Sequence, residues 1–333
     1  MARNHRSKTV TAKMKFSELA AQWILSVSHG VKESTLAHYR YTLERYLLPV
    51  FGSDRLSDLD EQRLEQGILQ VISAASGRHK PLGASSSREC LTMLRRIYKY
   101  AAHLHLMRTV EVFVKLPQTE PCQTKPFSAQ EQAALREFVL AAPTPRKVGL
   151  LLQMQLGLRI GEVCGLQWGD FDLKANVLTV CRTVSRIYCG VGCTKIVVQT
   201  PKTKSSGREI PIPYDLAALL RKLRGSANPD TWFLSGGTER PVEPRCYRKS
   251  IRGYLRRAGV RQVHLHTLRH TFATTCLQSG CDIKTLSEIL GHADANVTLK
   301  RYVHSNMKRK KSEMQRVFSA VWKKYPAQLH VSA

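Results

Sequence analysis

His266-Thr267-Leu268-Arg269-His270, followed by Gly291-His292 and then Tyr302, gathers imidazole, guanidinium and phenol groups within one short helical region. His266 and Arg269 are three residues apart and share a helix face. Leu268, Phe272 and Ala273 fit the core side of the same helix. Gly291 follows the apolar turn of Leu286, Ile289 and Leu290, where glycine suits a helix C-terminus. Such groups suit attack on a phosphodiester by a tyrosine. A tyrosine hydroxyl ionises near pH 10, so Tyr302 needs cations or a base beside it; taken alone it reads as a packing residue.

A phosphodiester under attack gathers negative charge on its non-bridging oxygens. Two guanidiniums form its natural clamp, each a planar fork of donors. Upstream, Arg159, in Leu158-Arg159-Ile160-Gly161-Glu162, is the second candidate beside Arg269. It interrupts a mostly apolar run predicted as one helix over 147–166. Glu162 lies on the same face and can partner a buried arginine; a purely structural Arg–Glu pair is the plainer reading. The leaving 5′-oxygen needs a proton. Lys202 and Lys204 occupy Thr200-Pro201-Lys202-Thr203-Lys204-Ser205-Ser206-Gly207-Arg208, a turn between two predicted strands. A lysine there can act as general acid, with Lys202 favoured over Lys204.

The composition agrees. The chain has 333 residues and a formal net charge of +27, which argues for a polyanionic partner, nucleic acid before membrane. No apolar run is long enough to span a bilayer and no signal-peptide pattern opens the chain. Nine cysteines, an odd number, fit reduced thiols and a cytoplasmic location. Cys189 and Cys193 lack a second pair of ligands at metal spacing.

Residues 1–13 read as a flexible basic tail and 14–115 as a small all-helical unit. Its signals are Phe16, Leu19, Ala20 and Trp23, then Leu36, Tyr39, Leu43 and Leu47, then a long helix capped by Ser85 to Ser87. Pro117, Pro121 and Pro126 mark 116–126 as a linker. The unit over 127–311 opens with a capping box at Ser128. It holds a small antiparallel sheet from 177–184, 196–199 and 209–212. Helices follow over roughly 214–223, 244–258, 266–278, 282–290 and 295–303. The fold class is therefore mainly α with a small antiparallel β-sheet. A last helix over 312–324 carries an apolar stripe of Met314, Val317, Phe318, Val321 and Trp322.

Arg248, Arg252 and Arg256 are spaced by four on one predicted helix, with Arg245 nearby, while Ile251, Tyr254 and Leu255 pack inward. This is a candidate DNA-facing helix, against the alternative of a merely solvated basic face. Arg88, Arg95 and Arg96 are similar in the helical unit, and Lys204 joins them as a DNA contact.

Leu156-Gly157-Leu158-Arg159-Ile160-Gly161-Glu162, Pro201-Lys202-Thr203-Lys204, His266-Thr267-Leu268-Arg269-His270, Leu290-Gly291-His292 and Tyr302 together resemble the tyrosine recombinase (phage integrase) family. The resemblance covers roughly 15 to 325. It implies a two-domain architecture, with a helical core-site-binding domain before a mixed α/β catalytic domain. It implies Arg159, Lys202, His266, Arg269 and His292 as the activating set and Tyr302 as the nucleophile. The reaction would pass through a 3′-phosphotyrosine with no ATP, metal or other cofactor. The implied partners are double-stranded DNA bearing core sites, a homotetramer on that DNA, and an accessory DNA-bending or excision factor. The tail over 312–333 would exchange between protomers. Such integrases often carry an arm-binding domain ahead of the core-binding unit; here a short basic tail precedes Phe16. The rival readings are a DNA-binding regulator without catalysis and a type IB topoisomerase-like enzyme.

Overall fold

The computed structural model describes residues 13–73, 81–108, 112–116, 125–200, 207–237 and 240–292, with isolated positions beyond. The chain divides into two compact units, residues 1–124 with 184–202, and residues 125–183 with 203–333.

In the first unit, α1 (Phe16–Ser28) buries Phe16, Leu19, Ala20 and Trp23 on one stripe. Next, α2 (Glu33–Thr42) runs through a π-helical turn (Leu43–Leu47) into α3 (Leu48–Phe51). Pro49 falls where the π-helical turn passes into α3; lacking an N–H, it cannot donate back into the preceding turn. The fourth helix, α4 (Glu61–Ile72), is capped by Asp60, whose carboxylate accepts the Arg63 backbone N–H at 2.7 Å. The long α5 (Ala84–His103) starts after Gly83, so Ser85 to Ser87 lie inside its first turn rather than capping it. Ser87 is buried there, and its hydroxyl donates to the Gly83 carbonyl at 3.2 Å. Phe16, Phe51, Leu64, Ile68, Leu94 and Ile97 form the common core.

In the second unit, α6 (Ala129–Ala141) carries the expected capping box. Ser128 Oγ accepts the Glu131 N–H, and Glu131 Oε2 accepts the Ser128 N–H. The single helix expected over 147–166 is instead two, α7 (Pro145–Gln155) and α8 (Ile160–Cys164). Gly157 breaks it with φ +67°, a left-handed conformation that glycine adopts freely.

The strands form two sheets, not one. β1 (Phe171–Asp172), β2 (Val177–Val180) and β5 (Arg208–Pro211) make an antiparallel sheet in that order, with Phe171 opposite Leu178 and Leu178 opposite Ile210. Trp168, Phe171 and Phe233 pack their rings against one another, with centroids 5.0 to 5.7 Å apart, and so anchor β1. β3 (Thr183–Gly190) and β4 (Cys193–Gln199) form a separate two-stranded hairpin. Most of it groups with the first unit, where Tyr188 donates to Glu44 at 2.5 Å and Lys195 pairs with Glu33 at 2.6 Å.

Four more helices complete the described part: α9 (Tyr214–Arg224), α10 (Pro244–Arg257), α11 (His266–Gln278) and α12 (Ile283–Leu290). Their bounds match the periodicity within a residue or so. The helices expected over 295–303 and 312–324 lie outside the continuously described residues, as does most of the 116–126 linker. No described helix is long and apolar enough to cross a membrane.

Candidate functional site

The break at Gly157 places Arg159 immediately before α8 instead of on the face of a longer helix. Arg159 and Glu162 therefore meet around a helix start. Glu162 Oε2 accepts the Arg159 backbone N–H at 2.9 Å, and Oε1 accepts the guanidinium Nη1 at 2.7 Å. The Arg159 side chain stays 38% exposed, while that of Glu162 is 6% exposed. Arg159 Nη2 also donates to the Gly291 carbonyl at 3.3 Å, which ties it to the end of α12.

Arg208, at the start of β5, reaches Glu162 from the other side. Its Nη2 donates to Oε2 at 3.0 Å and its Nε to the Ile289 carbonyl at 2.5 Å. Burial alone would raise the Glu162 pKa. The hydrogen bond and charge of Arg208, then the charge of Arg159, outweigh it and hold the carboxyl below its ordinary value. A carboxylate shared by two guanidiniums stays ionised and fixes both. The sequence points to no role for Arg208, because pairing across 46 residues leaves no local signal.

Arg269 is buried, with 1% exposure. Nη1 donates to the Gly157 carbonyl at 2.7 Å and Nη2 to the Leu290 carbonyl at 2.6 Å. Those two carbonyls are freed by helix ends, one beyond α7 and one at the end of α12. Gly291, with φ +63°, turns the chain so that His292 comes back to the guanidinium. Arg269 Nη2 and His292 Nε2 are 3.0 Å apart. A guanidinium cannot accept, so in this contact Nε2 is the acceptor and the ring proton sits on Nδ1.

His266 opens α11 and is exposed. It lines a hollow of about 350 Å³ together with Arg159, His264, Arg269, Arg248 and Arg252, and no carboxylate is among its described lining residues. The hollow thus offers four guanidiniums and two imidazoles. Arg248 and Arg252, expected as DNA contacts, border the same space as the catalytic candidates. Their helix α10 buries Tyr247, Ile251, Tyr254 and Leu255 on its opposite side, while Arg245 and Arg256 stay exposed. His264 escapes the sequence reading; its signal, alternation with His266 in Val263-His264-Leu265-His266, is faint.

In the helical unit, Arg88 and Arg96 line a hollow with Tyr39 and Glu89. Arg96 lies over the Tyr39 ring and donates to its hydroxyl at 2.7 Å. Arg95 is exposed and donates to the Val112 carbonyl at 2.6 Å. Lys202, Lys204 and Tyr302 lie outside the described residues. Among the described residues no group of three or more His, Cys, Asp or Glu could hold a metal ion.

Chemically, the hollow suits a phosphodiester. Arg159 and Arg269 are fixed by carboxylate and carbonyl partners, so they need not reorganise as charge develops. His266 can hold or pass a proton at its wall, and His292 contacts Arg269.

The family model described as the phage integrase family matches residues 125–309, and that described as the phage integrase N-terminal SAM-like domain matches residues 15–68. A XerC-like tyrosine recombinase of Caldanaerobacter subterraneus subsp. tengcongensis is 30% identical over 187 residues. That match spans 51% of this chain and 48%, about half, of the relative. A prophage phiRv2 integrase of Mycobacterium tuberculosis is 26% identical over 304 residues, covering 87% of this chain and 74% of its own. In fold, the chain is similar to the Tn1549 transposon integrase solved with a circular intermediate DNA. The TM-score is 0.68 at 20% identity, over 92% of this chain and 100% of that one.

Proposed function

Since the chain belongs to the phage integrase family, we propose that it is a site-specific DNA recombinase that moves a mobile element by cutting and rejoining strands. The observation that carries this reading is the hollow in which Arg159, Arg269 and His266 converge, with His292 held by Arg269.

In the proposed reaction a DNA phosphate enters the hollow. Arg159 and Arg269 donate to its non-bridging oxygens and stabilise the charge of the pentacoordinate transition state. Tyr302 attacks the phosphorus, its proton passing towards His266. The bond to the 5′-oxygen breaks, and Lys202, or Lys204 in its place, protonates that oxygen. The 5′-hydroxyl of a partner strand then attacks the phosphotyrosine and releases Tyr302. One phosphoester is exchanged for another, so bond energy is kept. His292 hydrogen-bonds the phosphate through Nδ1–H while Nε2 stays on Arg269. Glu162 and Arg208 are positioning residues that hold Arg159.

The partner is double-stranded DNA carrying core sites. Arg245, Arg248, Arg252 and Arg256 of α10 contact its phosphates beside the reacting one. Residues 14–115, with Arg88, Arg95 and Arg96, bind the core site, 127–311 carry the chemistry, and 312–333 exchange between protomers of a tetramer in the cytoplasm. An accessory DNA-bending or excision factor sets direction. The Tn1549 integrase matched in fold was solved with circular intermediate DNA, which supports a DNA-joining role.

The test does not require the target sequence to be chosen in advance. Cells expressing the full chain are lysed in denaturant, protein-linked DNA is recovered, and the attached ends are sequenced. Ends that cluster at one recurring sequence support site-specific recombination. Ends scattered without a common sequence would show a topoisomerase-like activity, and the absence of linked DNA would leave only a binding protein.

A further inference from the structure

Cys189 and Cys193 face each other at the tip of the β3–β4 hairpin, and the recombination chemistry leaves both unused. Their Sγ atoms are 2.7 Å apart, and both residues are exposed. The turn between them is Gly190-Val191-Gly192. Gly190 and Gly192 adopt φ +142° and +72°, and among the described residues no heavy atom lies where a side chain on either would point. The tip is therefore open to a small molecule. Val191 is 91% exposed, so no described residue of the unit covers the approach. The other described thiols differ: Cys90 and Cys164 are buried, Cys181, Cys276 and Cys281 are partly buried, and the exposed Cys246 hydrogen-bonds the Glu243 carboxylate at 3.8 Å.

We infer that Cys189 and Cys193 form a reversible modification site for low-molecular-weight disulfides, which closes into a disulfide within the hairpin. Two facing exposed thiols separated by three residues need almost no rearrangement to join, and the second attack is intramolecular. The hydrogen bond to Cys193 holds the Cys189 thiol above its ordinary range, which ties the ionisation of the two sulfurs together. The thiolate of either cysteine attacks one sulfur of the reagent, forming a mixed disulfide and expelling a thiolate. That thiolate takes the proton of the neighbouring cysteine. The neighbouring sulfur then attacks the modified Sγ, forms the internal bond and expels the second thiolate, which takes a proton from water. The protein loses two electrons and the reagent becomes two thiols.

The site also sits among the contacts that fix the hairpin. Tyr188, next to Cys189, hydrogen-bonds Glu44, and Lys195, two residues past Cys193, pairs with Glu33. Closure removes tip conformations beside both contacts. Disulfides in a reducing cytoplasm are commonly transient and sensing.

The experiment treats the reduced full chain with oxidised glutathione, quenches with acid and maps peptides by mass. In the wild type, the peptide with both cysteines should lose two hydrogens about tenfold faster than Cys246, Cys276 or Cys281 gain glutathione. Dithiothreitol should restore it. Cys189→Ser should accumulate glutathione on Cys193, and Cys193→Ser should accumulate it on Cys189, with no internal bond formed in either. A glutathione adduct that persists on the wild-type tip, or modification spread evenly over the exposed thiols, would overturn the inference. None of these readouts depends on recombination.

Discussion

Glu162 decides how the residues of the hollow behave. It is buried, ionised and shared by Arg159 and Arg208. Removing the carboxylate strips the buried Arg208 guanidinium of its anionic contact, so Glu162→Ala should destabilise the chain by about 3 kcal/mol in chemical denaturation. The pH dependence follows from the same contact. The folded-state pKa lies below the ordinary carboxyl value of 4.5, so the unfolded chain binds the proton more readily. The stabilisation is complete above that value and is lost as pH falls through the lower folded pKa. Stability measured downward from about pH 5 should fall less steeply in Glu162→Gln than in the wild type. Arg269 makes a different demand, on geometry rather than charge. Arginine reaches Gly157 through Nη1 and Leu290 and His292 through Nη2, whereas the three donors of lysine sit on one nitrogen and do not span those positions. Arg269→Lys should therefore slow strand cleavage about a hundredfold while DNA affinity stays nearly unchanged, as single-turnover cleavage and filter binding would register. The identities of Arg159, His266, Arg269 and His292 are legible in the sequence because each sits in a short local motif. Arg208 and His264 are not, because their roles arise from contacts made far along the chain or from one shared wall.

At the scale of elements, the turn at Gly157 shapes the site. A Cβ there would stand 2.4 Å from the Phe272 ring and 2.9 Å from Leu290, and the residue already has φ +67°. Gly157→Ala combines a strained backbone with overpacking and should cost about 3 kcal/mol in thermal or chemical unfolding. It should also impair cleavage, because the Gly157 carbonyl anchors Arg269. Hydrophobic periodicity runs across this break without interruption: Leu150 to Leu152, Leu156, Leu158, Val163 and Leu166 are all buried on either side of it. A pattern of apolar residues records burial, not continuity of the helix, so the sequence suggests one element where two exist. The hairpin poses a related problem. Strand alternation announces β-structure over 177–212, but which strands pair depends on tertiary contacts, and β3 with β4 forms a sheet apart from β1, β2 and β5. Helices α9, α10 and α12 are legible nearly to the residue because their buried positions fall on one amphipathic stripe, whereas α11 buries Thr267, Arg269 and Thr271 beside Leu268 and Ala273 and is marked by its motif instead.

For the whole molecule, the charge of +27 sets the energetics of its partner. Binding that neutralises DNA phosphates releases counterions, so affinity should fall steeply with salt. Arg248 and Arg252 border the hollow and face solvent. Replacing both by glutamine should weaken binding across all sequences and reduce the slope of log K against log salt by about 2 units. An unchanged slope would place these arginines off the DNA. The composition alone signals a nucleic-acid partner, and only the motifs signal cleavage. The proposed chemistry stands or falls on Tyr302 becoming covalently joined to DNA in a site built from Arg159, His266, Arg269 and His292. The decisive experiment uses a duplex carrying the recovered target sequence, nicked so that the cleaved 5′ end diffuses away, with the products run on a denaturing gel. The wild type should give a protein–DNA adduct and Tyr302→Phe none, while both proteins bind the duplex equally. An adduct that persists in Tyr302→Phe would rule out Tyr302 as the nucleophile.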